Sequence, residues 1–229
     1  LAWRVRTASR KANVGIALDG DGDRCLLVDE RGRLVDGDAI LMILAQHARS
    51  EVELPKQRIV ATVMSNRGLH RALRKSGVGI IEVGVGDRNV VEALRREGLG
   101  LGGEQSGHVI LGARNEYIGD GMVTALAVLR VLVGSGKSLS QLTAPFESMP
   151  QILLNIPVDR KPPMESLEGV QARVREFEQE LGEDGRILLR YSGTENLARV
   201  MVEGPDQGMI ERQAKALADC VAEAIGKHD

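Results

Sequence analysis

Val14-Gly15-Ile16-Ala17-Leu18-Asp19-Gly20-Asp21-Gly22-Asp23-Arg24-Cys25-Leu26-Leu27-Val28 is the stretch from which the rest of the chain can be read. The apolar runs Val14–Leu18 and Cys25–Val28 read as two buried strands, and the residues between them as a tight loop. Alternate residues of an extended loop point the same way, so Asp19, Asp21 and Asp23 can converge on one hard cation. The intervening glycines let the backbone turn without a Cβ clash. Carboxylates this close repel one another, and a bound divalent ion would neutralise them. The plain alternative is a solvated acidic turn. An EF-hand loop is excluded, because the position needing its sharp-turn glycine holds Arg24, its ninth position is Leu27, and strands flank it in place of helices. The Arg24 guanidinium can pair with an anion resting on the cation, and metal plus arginine is equipment for stabilising a transferring phosphoryl group.

Outward from this loop the texture alternates. Ile40, Leu41, Ile43 and Leu44 recur at helical spacing, with Asp36 or Asp38 as N-cap. The sequence then predicts a strand at 59–64, a helix at 68–75 and a strand at 78–83. It continues with a helix at 89–97, a strand pair within 99–111 and a long apolar helix at 121–133. Strands alternating with helices argue for an open α/β sheet with right-handed crossovers. Near Ser148 the pattern changes: Pro145, Pro150 and Pro157 punctuate a connection. Beyond it the expectation is a helix at 165–181, strands at 186–191 and 199–203, and a final helix at 206–225, forming a small α+β domain.

A second loop, Arg190-Tyr191-Ser192-Gly193-Thr194-Glu195-Asn196, joins the last two strands. Small residues there expose backbone N–H groups, Ser192 and Thr194 add hydroxyls, and Arg190 and Arg199 supply countercharge. No general base stands out, so the loop reads as a phosphate clamp; the plain alternative is an ordinary hairpin turn. Between them lies Gly103-Glu104-Gln105-Ser106-Gly107-His108. Glu104 and Ser106 suit sugar hydroxyls, and His108, with an intrinsic pKa near 6.5, could move a proton from one of them. Two other motifs fail: Gly84–Asn89 lacks the third glycine of a dinucleotide fingerprint, and Gly134–Ser138 has Val131 where a P-loop needs glycine. His47 and His70 read as surface or capping residues.

Composition narrows the class. Of 229 residues 43% are hydrophobic, enough for one sizeable core or two modest ones. Thirty basic residues face 32 acidic ones, so no global field recruits nucleic acid or an anionic membrane, and an anionic substrate must be caught by local arginines. Two cysteines, Cys25 and Cys220, both beside apolar residues, read as core fillers in a reducing cytoplasm. No apolar run reaches the roughly 20 residues of a membrane span. The start, Leu1-Ala2-Trp3-Arg4, is no signal peptide and reads as the continuation of something longer.

Taken in order, Asp19–Arg24, Thr62–Asn66, Val85-Gly86-Asp87-Arg88, Gly103–His108 and Arg190–Asn196 resemble the α-D-phosphohexomutase superfamily over nearly the whole chain. The Val-Gly-Asp-Arg and Gly-Glu-Gln-Ser-Gly-His forms look like its bacterial hexosamine-phosphate branch. The resemblance implies four domains around a cleft, with residues 1–35 a remnant of domain two, 36–147 domain three and 148–229 domain four. It implies Mg²⁺ on Asp19, Asp21 and Asp23, with Arg24 beside a phosphoserine. Glu104, Ser106 and Arg88 would meet the sugar, with His108 nearby as acid or base. Arg190, Ser192, Gly193, Thr194 and Arg199 would take its phosphate. The expected partner is a hexosamine phosphate, isomerised by phosphoryl transfer in the cytoplasm on the way to cell-wall precursors. A homodimer of the complete enzyme stays open, as do a mutase of 2-hydroxy sugars and a non-catalytic phosphosugar-binding fragment. The family's phosphoserine stands in a Ser-Ala-Ser-His-Asn-Pro-like segment far upstream. Thr7-Ala8-Ser9-Arg10 lacks its histidine, asparagine and proline, so Ser9 is expected to be a surface residue and the chain to lack the serine.

Overall fold

The computed structural model describes residues 12–50 and 54–226, and Ser9 lies outside them. The chain divides into two compact units, Leu1–Ser148 and Met149–Asp229.

The first unit opens with an antiparallel sheet of β1 (Val14–Leu18), β2 (Cys25–Asp29) and β3 (Leu34–Val35). Leu18 pairs with Cys25, so the acidic loop is the turn of a hairpin and strands flank it, as expected. A four-stranded sheet follows, ordered β5 (Gly79–Val83), β4 (Arg58–Thr62), β6 (Gly102–Gly103), β7 (Val109–Ile110). β4 runs parallel to both neighbours and β6–β7 is antiparallel, giving a mixed α/β sheet. Ile59 through Thr62 are all buried, as befits a central strand covered on both faces. Ile59 and Ala61 enter a core built with α1 (Gly37–Ser50), α2 (Arg67–Lys75) and α4 (Gly121–Ser135). Val60 enters a separate cluster with Val90, Ala93 and Leu94 of α3 (Asp87–Glu97). α5 (Leu139–Leu142) closes the unit behind a capping box of Ser138 and Gln141.

Helix starts place the loops. Asp36, not Asp38, caps α1, its Oδ1 accepting from Ala39 N at 3.1 Å. Burial raises the Asp36 pKa against several opposing hydrogen bonds. Asp38 is buried and accepts from Asn66 N at 2.7 Å, while Asn66 Oδ1 caps α2 by accepting from Gly68 N at 2.8 Å. One short stretch at the head of α1 thus anchors the turn after β4.

The second unit is an antiparallel sheet ordered β8 (Gln151–Pro157), β10 (Leu197–Glu203), β9 (Arg186–Tyr191). α7 (Gln207–Ile225) lays Ile210, Ala214, Leu217, Val221 and Ile225 into the core with Ala198, Val200 and Val202 of β10. Its N-cap is Asp206, accepting from Met209 N at 2.6 Å. α6 runs Glu168–Leu181, starting later than the expected 165 because Met164–Ser166 form a separate 3-10 turn. On the β10 face opposite Ala198 and Val200 stand Arg199, Met201 and Glu203, and Arg199 pairs directly with Arg190.

Candidate functional site

The acidic hairpin loop is held by its own backbone. Asp19 Oδ1 accepts from Gly22 N at 3.1 Å and Arg24 N at 3.3 Å, with Gly22 in the left-handed region at φ 75°. Desolvation would raise the Asp19 pKa, but the Arg24 N–H, the Asp23 side chain and the Gly22 N–H together hold it below the usual carboxylate value. Asp23 Oδ2 lies 3.0 Å from His108 Nδ1, and Arg24 Nε lies 3.7 Å from Asp19 Oδ2. Asp21 is exposed. Among the described residues no three His, Cys, Asp or Glu side chains converge as a metal cage. Asp19 is bound by N–H groups of its own loop and Asp23 by the distant His108, while Asp21 remains exposed. The donor set still suits a hard cation, with anionic oxygens at alternate positions and Asp19 held ionised by N–H donors.

His108 is buried, at 8% exposure, with its Nδ1 turned to Asp23. A Cβ built on Gly119 would fall 2.2 Å from its Nε2, so that nitrogen faces backbone, and His108 does not line the cavity beside Glu104.

That cavity, of about 280 Å³, is lined by Thr62, Met64, Val85, Glu104, Gln105 and Ser106. These residues follow the carboxyl ends of β4, β5 and β6, where ligands of open α/β sheets bind. Glu104 Oε1 accepts from Gly86 N at 2.9 Å, and Ser106 Oγ lies 3.4 Å from Glu104 Oε2. The loop is seated by close backbone contact: Gly37 N donates to Gln105 O and Cys25 N to Gly107 O, both at 3.0 Å. Gly107 adopts φ 96°, and a Cβ there would lie 2.4 Å from Cys25 O. Arg88 does not join the cavity. It is exposed, with Nε donating to Glu92 of its own helix at 2.9 Å, which raises its pKa. From its motif it is Val85 and Gly86 that reach the site. A larger cavity of about 640 Å³, walled by Leu44, Leu101, Val123 and Val131 among others, shares no residue with any of these loops.

In the second unit, Arg190 and Arg199 stand opposite one another on β9 and β10. Removal from water, then the like charge of Arg199, lowers the Arg190 pKa. Arg199 Nη2 donates to Glu195 Oε2 at 3.2 Å and lies 3.5 Å from Ser192 Oγ, while its Nε is buried without a partner. Ser192 is buried, its Oγ accepting from Glu195 N at 3.2 Å, and Gly193 and Thr194 are exposed at the tip. Glu195 neutralises part of this charge, and the juxtaposed guanidiniums with a buried unsatisfied Arg199 N–H suit a further anion. Sequence reasoning missed Lys161, whose Nζ donates to Ser192 O at 2.9 Å and Glu195 O at 2.8 Å. Tyr191 OH likewise donates to Pro162 O at 2.8 Å.

The family description "Phosphoglucomutase/phosphomannomutase, alpha/beta/alpha domain III" matches residues 36–149, and the C-terminal domain of the same family matches residues 153–220. The phosphoglucosamine mutase of Chlamydia trachomatis serovar L2 is 50% identical over 216 residues, 94% of this chain and 47% of that protein. That of Koribacter versatilis is 44% identical over 225 residues, 98% and 49% of the two chains. The chain spans about half the length of the curated relatives it matches. Among solved structures, the Aspergillus fumigatus N-acetylphosphoglucosamine mutase crystallised with GlcNAc-6P and magnesium has the same fold, with TM-score 0.77 at 23% identity, over 99% of this chain and 53% of that one. A Burkholderia thailandensis phosphoglucomutase/phosphomannomutase family protein gives TM-score 0.78 at 24% identity, over 97% and 49%.

Proposed function

Since the chain belongs to the phosphoglucomutase/phosphomannomutase family, through that family's third and C-terminal domains, we propose that it is the sugar- and phosphate-binding portion of a phosphoglucosamine mutase. The whole protein would interconvert glucosamine 6-phosphate and glucosamine 1-phosphate in the cytoplasm. The observation that carries this reading is the opposed pair Arg190 and Arg199 with a buried, partnerless Arg199 Nε. Like-charged guanidiniums cost free energy unless an anion sits between them, and a phosphate accepts hydrogen bonds from both. The choice of an amino sugar draws support from relatives named phosphoglucosamine mutase at 44–50% identity.

Each loop has a separable task. Arg190, Arg199, Ser192 and the Gly193 and Thr194 backbone bind the phosphate that is not being transferred. Glu104 accepts from sugar hydroxyls, its carboxylate aimed by the Gly86 N–H, and Ser106 adds a second polar contact. Asp19, Asp21 and Asp23 would hold Mg²⁺, which supplies charge neutralisation for a transferring phosphoryl group. Arg24 stands beside them to pair with that group's oxygens. The phosphoryl-carrying serine is assigned to a part of the whole protein outside these 229 residues, so the chain alone should bind the phosphosugar without isomerising it. Changing Asp21 to alanine in the whole enzyme should abolish metal-dependent turnover; undiminished turnover would remove Asp21 from the cation site.

Calorimetric titration of the chain with glucosamine 6-phosphate and with glucose 6-phosphate tests the substrate assignment. Binding of the amino sugar that Arg199→Ala weakens is the expected result. Equal or tighter binding of glucose 6-phosphate would move the assignment to the 2-hydroxy sugars.

A further inference from the structure

The segment just ahead of α4, Ile118-Gly119-Asp120-Gly121, touches the acidic loop in two places, although no motif marks it. Gly121 N donates to Gly22 O at 2.9 Å, and a Cβ on Gly121 would fall 2.5 Å from Arg24 O. Gly119 bridges Ile110 at the end of β7, and its bare Cα lies against the His108 ring. His108 in turn holds Asp23 through Nδ1. Asp120 fixes the segment from behind, capping α4 through Val123 N at 2.9 Å, and its carbonyl accepts from the buried Thr124 Oγ1 at 2.8 Å. The segment therefore meets the acidic loop where it enters α4, at Gly121, and the His108 ring two residues earlier, at Gly119.

Resting on the cation reading above, we propose that Gly119 is a positioning residue for the cation loop, acting through His108 on the Asp23 carboxylate. A hydrogen bond from an imidazole N–H to a carboxylate fixes that carboxylate's orientation, and partners one step removed from a metal typically alter its affinity by 10–100-fold. A Cβ at 119 would overlap the His108 ring, so the ring must move, and any such movement carries Nδ1 with it, away from its present 3.0 Å contact with Asp23. Gly119 thus sets the ring, the ring sets Asp23, and Asp23 helps set the cation.

The test is titration of the 229-residue chain with Mn²⁺ alone, reading free Mn²⁺ by electron paramagnetic resonance, with thermal unfolding as a fold control. Gly119→Ala and His108→Ala should each weaken Mn²⁺ binding roughly tenfold or more. Their double variant should be no weaker than His108→Ala alone, because the added methyl then has no ring to displace. His108→Asn, which keeps a donor near the Nδ1 position, should recover part of the affinity. Unchanged binding in Gly119→Ala, or losses that multiply in the double variant, would overturn the inference while leaving the cation site standing. No Mn²⁺ binding by the unsubstituted chain would overturn the cation reading and this inference with it. Should Gly119→Ala fail to fold, restored folding in the double variant supports the steric coupling and continued failure overturns it.

Discussion

Arg199 is asked to do two things at once: it faces Arg190 across the ladder, and it leaves a buried N–H unpaired. Replacing it by alanine should remove a charge-assisted contact of about 1.5–3 kcal/mol to a bound phosphate. Every 1.4 kcal/mol being tenfold, phosphosugar affinity should fall roughly ten- to a hundredfold. In the whole enzyme the change should raise KM more than it lowers kcat, because the clamp holds the non-reacting phosphate. A kcat collapse at unchanged KM would place Arg199 at the transferring group. Lys161 offers a milder test of the same loop. Its ammonium ties two loop carbonyls but is exposed, so Lys161→Met should cost about 1 kcal/mol, a roughly fivefold loss of phosphate affinity. No loss, by calorimetry, would make Lys161 incidental. The two residues also mark what a sequence discloses. Arg199 stood out in the sequence because an arginine beside a small-residue loop suggests an anion partner. Lys161 was not, because its partners are carbonyl oxygens, which every residue carries.

Elements meet the loops through contacts that tolerate little change. A Cβ on Gly37, at the head of α1, would fall 2.0 Å from Glu104 O and 2.7 Å from Gly107 N. Both are backbone atoms, so Gly37→Ala should unseat the 104–107 loop, with the unfolding midpoint falling and sugar affinity lost together. Retained affinity would show that the loop keeps its place without that contact. Glu30, just after β2, clips the start of α5 by accepting from Ser140 Oγ and, at 3.3 Å, from Ser140 N. Burial would raise its pKa, but bonds from Ser140 and its neighbours bring it from 4.5 down to about 2. A carboxylate lowered on folding stabilises the native state above its unfolded pKa. That contribution should disappear as pH falls from 4.5 towards 2. The stability gap between the parent and Glu30→Gln should therefore narrow over that window. A constant gap by denaturant unfolding would dismiss the clip. Apolar periodicity made most helices and strands legible, yet it missed the separate turn at Met164–Ser166, where Pro162 and Pro163 delay the helix. It also could not say that Asp23 would be engaged by His108, a partner 85 residues away that only the tertiary structure brings close.

At the scale of the molecule the chain is two units with separate cores. Every donor of the proposed phosphate clamp, Lys161 included, belongs to residues 149–229, so that unit expressed alone should unfold cooperatively and bind inorganic phosphate. The order of the loop motifs along the chain made the family legible. The joining of Glu104 to Gly86, and the withdrawal of Arg88 to Glu92, depended on packing that no motif encodes. The central proposal is that the loop at residues 190–199 takes the phosphate of a hexosamine phosphate through Arg199. Its most direct test is to follow the backbone amide resonances of the chain while glucosamine 6-phosphate is added with Mg²⁺. Saturable shifts at Gly193 and Thr194 that disappear in Arg199→Ala are the predicted result. No shifts at this loop, or shifts that persist in Arg199→Ala, would contradict the proposal.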